Sequence, residues 1–238
     1  MTSPDALLPD HRLELTDVVA NNTMNRERGL AGTNSYVREL GFDPVDHLLA
    51  RAPGPRWLDL CSGEGLALRE AAGRLPAAAR LTGVDLVGPL AAAPLPPAVE
   101  LVTASVTAWE PAVPYDLITC VHGLHYVGDR LGLLARAAGW LRPGGLLVAH
   151  LDPAAIRWAD GGPAGRSVLA ALRAEGFAYS TRHHRLTLTG PRTVRLPLRY
   201  VGADPDAGPN YTGQPGVAAH YRRAARPAAD GPSGGPRR

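Results

Sequence analysis

Two acids, two glycines and two histidines carry most of the chemistry this sequence can do. Asp59 sits inside the apolar run Trp57-Leu58-Asp59-Leu60, and Cys61-Ser62-Gly63-Glu64-Gly65 follows at once. A second apolar run, Leu81-Thr82-Gly83-Val84, ends in Asp85 and Leu86. A strand, a glycine turn and an acid closing the next strand form the nucleotide-binding half of a βαβ unit. Glycine lets the backbone approach the ligand, and the second-strand carboxylate accepts hydrogen bonds from ribose hydroxyls. Asp59, within the first strand, is not part of the dinucleotide version of that pattern. Farther on, Cys120-Val121-His122-Gly123-Leu124-His125 sets two imidazoles just past another apolar run. Imidazole titrates near neutrality, so either could take a proton from a hydroxyl or an amine.

The elements that must position these residues follow from the hydrophobic pattern. Strands are expected at 56–60, 81–85, 99–103, 115–121 and 146–151. Helices are expected at about 35–40, 43–50, 64–74, 129–141 and 164–175, with Pro44 in a first turn and Arg142-Pro143-Gly144-Gly145 as a stop. Strand and helix alternate, which predicts an α/β fold with a doubly wound, mostly parallel, seven-stranded sheet. The strand-rich segments 177–188 and 193–201 have no helix between them and predict an antiparallel hairpin at one edge. Ligands of such sheets bind beyond the carboxyl ends of the strands, where the strand order reverses. The turns after the first, second and fourth strands should therefore meet.

Composition narrows the class. With 238 residues and 45% hydrophobic content the chain can bury one α/β core. Residues 1–45 read as an N-terminal helical lid and substrate segment, 46–223 as the catalytic domain and 224–238, rich in Ala, Pro, Gly and Arg, as a disordered tail. All 25 basic residues are arginine, so no lysine amine is available as a catalyst, and the bias fits a GC-rich genome. Net charge is only +3 and aromatics are 5%, which argues against a nucleic-acid partner. No apolar run is long enough to span a membrane, and the polar N-terminus lacks a signal pattern, so cytoplasmic residence is expected. Two cysteines, Cys61 and Cys120, are too few for a disulfide framework and read as small buried residues.

The run from Asp59 to Gly65, with Asp85, resembles motif I of the class I S-adenosylmethionine-dependent methyltransferases, Cys61 standing where the first glycine would be. Cys120 to Val127 is similar to the segment after the fourth strand in the small-molecule members. Leu141-Arg142-Pro143-Gly144-Gly145 is similar to their entry to the fifth strand. The resemblance implies S-adenosylmethionine as cofactor. It assigns Asp59 to the cofactor's amino-acid portion, Gly63 and Gly65 to the turn, and Asp85 to the ribose. Cys61, Leu86 and Val121 fall beside the cofactor, and Ser105 stands where many relatives place an adenine-facing aspartate.

The implied activity is methyl transfer to an oxygen or nitrogen of a small molecule, in the specialised metabolism of a GC-rich bacterium. His122 is the preferred base, with His125 as the other candidate or a packing residue. Asn22, Arg26, Asn34 and Tyr36 in the polar run 21–36, with Tyr211 in the loop 202–216, are expected to bind the acceptor. No metal is expected, because His122, His125, His183 and His184 share no ligand spacing. A dehydrogenase is disfavoured by Asp59 and the edge hairpin, and an RNA methyltransferase by the missing basic appendage. A cofactor-binding protein without transfer activity is the alternative from another class.

Overall fold

The computed structural model describes residues 7–20, 26–51, 53–89 and 94–224. Asn22 and the tail from 225 lie outside them. Four short helices come first: α1 (Asp10–Leu13), α2 (Asp17–Ala20), α3 (Tyr36–Leu40) and α4 (Pro44–Leu49). The sequence sets the ends of α3 and α4. The Ser35 hydroxyl accepts from Arg38 N and Gly41 closes α3 at φ 75°, while Asp43 accepts from Val45 N with Pro44 inside the first turn of α4.

The chain then runs through β1 (Arg56–Leu60), α5 (Leu66–Ala72), β2 (Arg80–Asp85), β3 (Val99–Thr103), β4 (Tyr115–Cys120), α6 (Arg130–Gly139) and β5 (Leu141–His150). It continues through β6 (Ile156–Trp158), α7 (Gly165–Ala174), β7 (Ala178–Ser180), β8 (Arg185–Thr189), β9 (Leu198–Asp204) and β10 (Ala218–Arg223). Seven strands form one sheet in the order β3-β2-β1-β4-β5-β8-β7. The first five are parallel, and β8 and β7 run antiparallel at the far edge. Every residue of β4 is buried, as a parallel strand covered on both faces must be.

Alternate residues feed two cores. Leu58, Leu60, Ile118 and Cys120 pack towards Leu131 and Leu134 of α6 and Leu172 of α7. Trp57 and Leu117 pack towards Leu40, Leu48 and Leu68 on the opposite face. No helix among the described residues is long and apolar enough to cross a membrane.

Two expectations are corrected. The edge hairpin lies within 177–188, as β7 and β8, and does not pair that segment with 193–201. Pro191 just before the latter stretch and Pro197 within it remove ladder donors. The strand resumes as β9, which joins a second, three-stranded sheet in the order β6-β10-β9. The helix expected over 64–74 is shorter, because Gly65, at φ 67°, caps it from the left-handed region. The Tyr221 hydroxyl of β10 accepts from Leu131 N (3.1 Å) and so ties the small sheet to α6.

Gly123, just past β4, sits where an added Cβ would lie 2.3 Å from the Cys61 Cβ. At Gly139 nothing lies within 4 Å. Gly123→Ala should therefore lose about 1–3 kcal/mol in urea denaturation, while Gly139→Ala should be neutral or gain up to about 1 kcal/mol. Equal effects would show that the turns after β1 and β4 are not packed this closely.

Candidate active site

The turns after β1, β2 and β4 converge on a cleft of about 730 Å³ whose walls include Cys61, Gly63, Asp85, Leu86, Val121 and His122. Cys61 and Ser62 donate backbone N–H groups to Val84 O (2.7 and 3.2 Å), which locks the glycine turn to the end of β2. The two turn glycines serve different neighbours. A Cβ at Gly63 would lie 2.5 Å from Arg26 O, and one at Gly65 2.7 Å from Leu101 Cδ2. Gly63 thus lets the N-terminal segment close on the turn, whereas Gly65 faces β3 and does not line the cleft.

Asp85 is already well supplied with donors. Gly63 N reaches its Oδ2 at 2.9 Å, Val87 N its Oδ1 at 3.1 Å, and Arg26 Nη1 its Oδ1 at 2.9 Å. Arg26 also pairs with Glu64 at 3.2 Å and donates to the carbonyls of Val87 and Gly88. It occupies the carboxylate that the resemblance assigns to ribose, so a ribose diol at Asp85 must share or displace the guanidinium. Arg26 thus holds Asp85 and the glycine turn, the residues that the resemblance assigns to the cofactor, whereas the sequence expected it at the acceptor.

Asp59 lies below the cleft, 1% exposed. Its Oδ2 accepts from the Tyr36 hydroxyl and its Oδ1 from the Thr119 hydroxyl, both at 2.6 Å, and Thr119 Oγ1 accepts from Trp57 Nε1 at 2.8 Å. Burial pushes the carboxyl up to about 7 against the lowering effect of the two hydroxyls. Tyr36, 3% exposed, is thus a core residue bonded to Asp59 and does not line the cleft where an acceptor contact was expected of it. Asn34 is exposed and pairs with Arg28, again away from the cleft. Ser105 also stands back from the cleft wall, bonded to Glu14 and to Thr107 Oγ1 at 2.8 Å, while Val106 and Thr107 line the wall.

Past β4 the two histidines part company. His122 is held at φ 58°, a left-handed conformation uncommon for a non-glycine residue and characteristic of functional turns. Its Nε2 lies 2.9 Å from Glu39 Oε2 and its Nδ1 3.3 Å from the Tyr211 hydroxyl. The His150 ring, at the end of β5, stacks on it at 4.4 Å and 9°. The hydrogen bond from His122 holds the Glu39 carboxyl down to about 2. Burial, then the neighbouring His122, pushes His150 down to about 3.

His125 is 1% exposed, with neither ring nitrogen partnered among the described residues. Burial and Arg130 push it down to about 2, so it stays neutral and fills space beside Tyr211, 5.1 Å away. Tyr211 stacks on His184 at 3.8 Å, and burial raises its phenol. Sequence reasoning missed Glu39 and His150. His150 ends a buried strand at the binding edge, a position that could have marked it. Glu39 carried no such signal.

A protein-family model described as a methyltransferase domain matches residues 33–186. The chain belongs to this methyltransferase family. S-adenosylmethionine, its cofactor, suits what the cleft offers: the Asp85 carboxylate at one edge, the tight Gly63 turn and the apolar walls of Leu86, Val106 and Val121.

Solved structures similar to this methyltransferase include the N-methyltransferase NodS from Bradyrhizobium japonicum, at 17% identity and TM-score 0.42, covering 65% of this chain and 95% of that one. The amino pentose methyltransferase CalS10 from Micromonospora echinaspora matches at 23% identity and TM-score 0.35, covering 50% and 58%. YjhP from E. coli matches at 17% and 0.38, covering 58% and 54%. The methyltransferase thus spans little more than half the length of CalS10 and of YjhP. A search of curated proteins found no match.

The raised Asp59 carboxyl predicts a pH effect on stability. Between about pH 4, where an unfolded aspartate ionises, and the folded value of about 7, the folded protein keeps a proton that the unfolded chain has released. Stability is therefore fully present below that window and falls as pH rises through it, by up to about 4 kcal/mol. Asp59→Asn should lack this slope. Urea denaturation between pH 5 and pH 8 tests it, and a constant difference between wild type and variant would contradict the assignment.

Proposed function

We propose that this methyltransferase moves a methyl group from S-adenosylmethionine to an oxygen or nitrogen of a small molecule, with His122 taking the acceptor's proton. The observation that carries the reading is the run Glu39–His122–Tyr211 where the turn after β4 meets the cleft. When bound, S-adenosylmethionine supplies an electrophilic methyl on a sulfonium.

The chain's own residues do the rest. Asp85, the Gly63 turn and the apolar wall hold the nucleoside end. The convergence of the turns after β1 and β4 fixes the line along which an acceptor approaches, and such positioning lowers the barrier for a displacement. The ionised Glu39 accepts a hydrogen bond from His122 Nε2, which leaves Nδ1 as the basic nitrogen, with the Tyr211 hydroxyl donating to it until an acceptor displaces the phenol. Nδ1 faces Tyr211, so an acceptor hydroxyl or amine bound beside that phenol has a base at hand. Glu39 stabilises the imidazolium that forms.

Tyr211, stacked on His184, stands behind His122 as seen from the cleft, which His122 lines and Tyr211 does not. The arginine-only composition, which fits a GC-rich bacterial genome, supports an acceptor from specialised metabolism. The low aromatic content and modest net charge support a small acceptor over RNA.

Two measurements test this reading. Asp85→Ala should weaken binding of S-adenosylhomocysteine by about 1–3 kcal/mol in calorimetry while the protein stays folded. Unchanged heats would remove Asp85 from the cofactor site. With an acceptor found by screening metabolite extracts with labelled cofactor, His122→Ala should lower kcat by about 10²–10⁴. His125→Ala should lower the melting temperature and leave the folded enzyme's rate near normal. The reverse pattern would exchange the two roles, and cofactor binding with no labelled product from any extract would favour the non-catalytic alternative.

A further inference from the structure

We propose that Glu39, His122 and His150 form a binding site for one divalent transition-metal ion of the zinc class, at the acceptor end of the cleft. Glu39 Oε2 lies 2.9 Å from His122 Nε2 and 3.6 Å from His150 Nε2. The three candidate ligand atoms all fall within 4.8 Å of one another. Ligand atoms around a tetrahedral zinc stand about 3.4 Å apart, given bonds of about 2.0–2.2 Å. Small side-chain rotations therefore bring the three to bonding distance. The stacked imidazoles, 4.4 Å apart, must splay so that each lone pair aims at one point.

Two further features fit an ion. A ligating imidazole normally has its other nitrogen held, and a ligating carboxylate its other oxygen. His122 Nδ1 has the Tyr211 hydroxyl at 3.3 Å, and Glu39 Oε1 has Arg28 Nη1 at 3.2 Å. His150 is 2% exposed, and its Nδ1 has no hydrogen-bond partner among the described residues. That unheld nitrogen departs from the usual arrangement of a ligating imidazole; burial and the stack on His122 hold the ring instead. Two histidines and one carboxylate also leave the remaining coordination positions open, as in catalytic zinc and non-haem iron centres. Magnesium and calcium prefer all-oxygen shells and fit this nitrogen-rich set poorly.

Ion binding changes the proton arrangement at His122. Nε2 would bond the metal, Nδ1 would carry the proton and donate it to the Tyr211 oxygen, and the imidazole would no longer serve as a base. An acceptor hydroxyl on an open position would instead lose its proton more readily to solvent, because a dication lowers the pKa of a bound O–H group. That use of the ion rests on the methyl-transfer reading above. Binding of the ion does not, so a binding measurement separates the two.

The full-length protein, dialysed against a chelator, is titrated with Zn²⁺ by calorimetry and with Co²⁺ by visible absorption. One ion per chain should bind, Co²⁺ should give a visible band that Zn²⁺ removes, and Mg²⁺ should give neither signal. Glu39→Gln, at a half-buried position where folding should survive, should weaken Zn²⁺ binding roughly 100-fold. His150→Asn should do the same, while His183→Ala, at an exposed histidine, should leave it unchanged. No stoichiometric binding, or equal affinity in Glu39→Gln and wild type, would overturn the proposal.

Discussion

Tyr36 donates to the buried Asp59 carboxylate from one side and Thr119 from the other, and this pair of bonds fixes where α3 meets the sheet. Thr119 belongs to β4 and Asp59 to β1, so the contact also couples the two central strands. Tyr36 and Glu39 sit three residues apart and therefore close together on one side of α3. Once the phenol is bonded to Asp59, Glu39 is presented to the turn after β4 and meets His122. Asp59 thus shapes the surroundings of His122 through α3 without lining the cleft itself. A carboxyl held up to about 7 is the energetic cost of keeping that joint in a dry interior.

The cofactor end depends on a different contact. Arg26 lies over the glycine turn, with its carbonyl accepting from Glu64 N at 2.9 Å and its guanidinium on Asp85. Gly63 is needed because any side chain there would strike the Arg26 backbone. The segment around Arg26 and the Asp85 carboxylate are consequently linked, so a ligand that takes Asp85 has to rearrange an ion pair that is about 10% exposed on the arginine side. A partly desolvated pair of this kind is worth more than a surface salt bridge, so its rearrangement would enter the free energy of any ligand that binds Asp85.

The histidines illustrate how burial divides chemically identical groups. His122 and His125 are separated by one turn of 3-10 helix, yet only His122 has a carboxylate and a phenol to work with. His125 faces the interior beside Arg130, where a second positive charge would be costly. His150 reaches the same place from β5, because β5 lies next to β4 with Cys120 opposite Ala149.

The sequence by itself determined β1 to β5, the glycine turn, Asp85 at the end of β2, and the caps of α3 and α4, but not β6, β10 or the second sheet they form with β9. The features it determined depend on residues within a few positions of one another, where hydrophobic period, proline and glycine act directly. It also placed Leu86, Val121 and His122 at the binding edge, because sheet topology puts the turns after β2 and β4 there. Tertiary structure alone decided that Tyr36 is a core residue, that Arg26 holds Asp85, and that Glu39 and His150 join His122. Glu39 and His122 are 83 residues apart, and no local pattern relates them. Their meeting follows from the docking of α3 through Tyr36 on Asp59 and from the adjacency of β4 and β5, which are set by packing between distant segments.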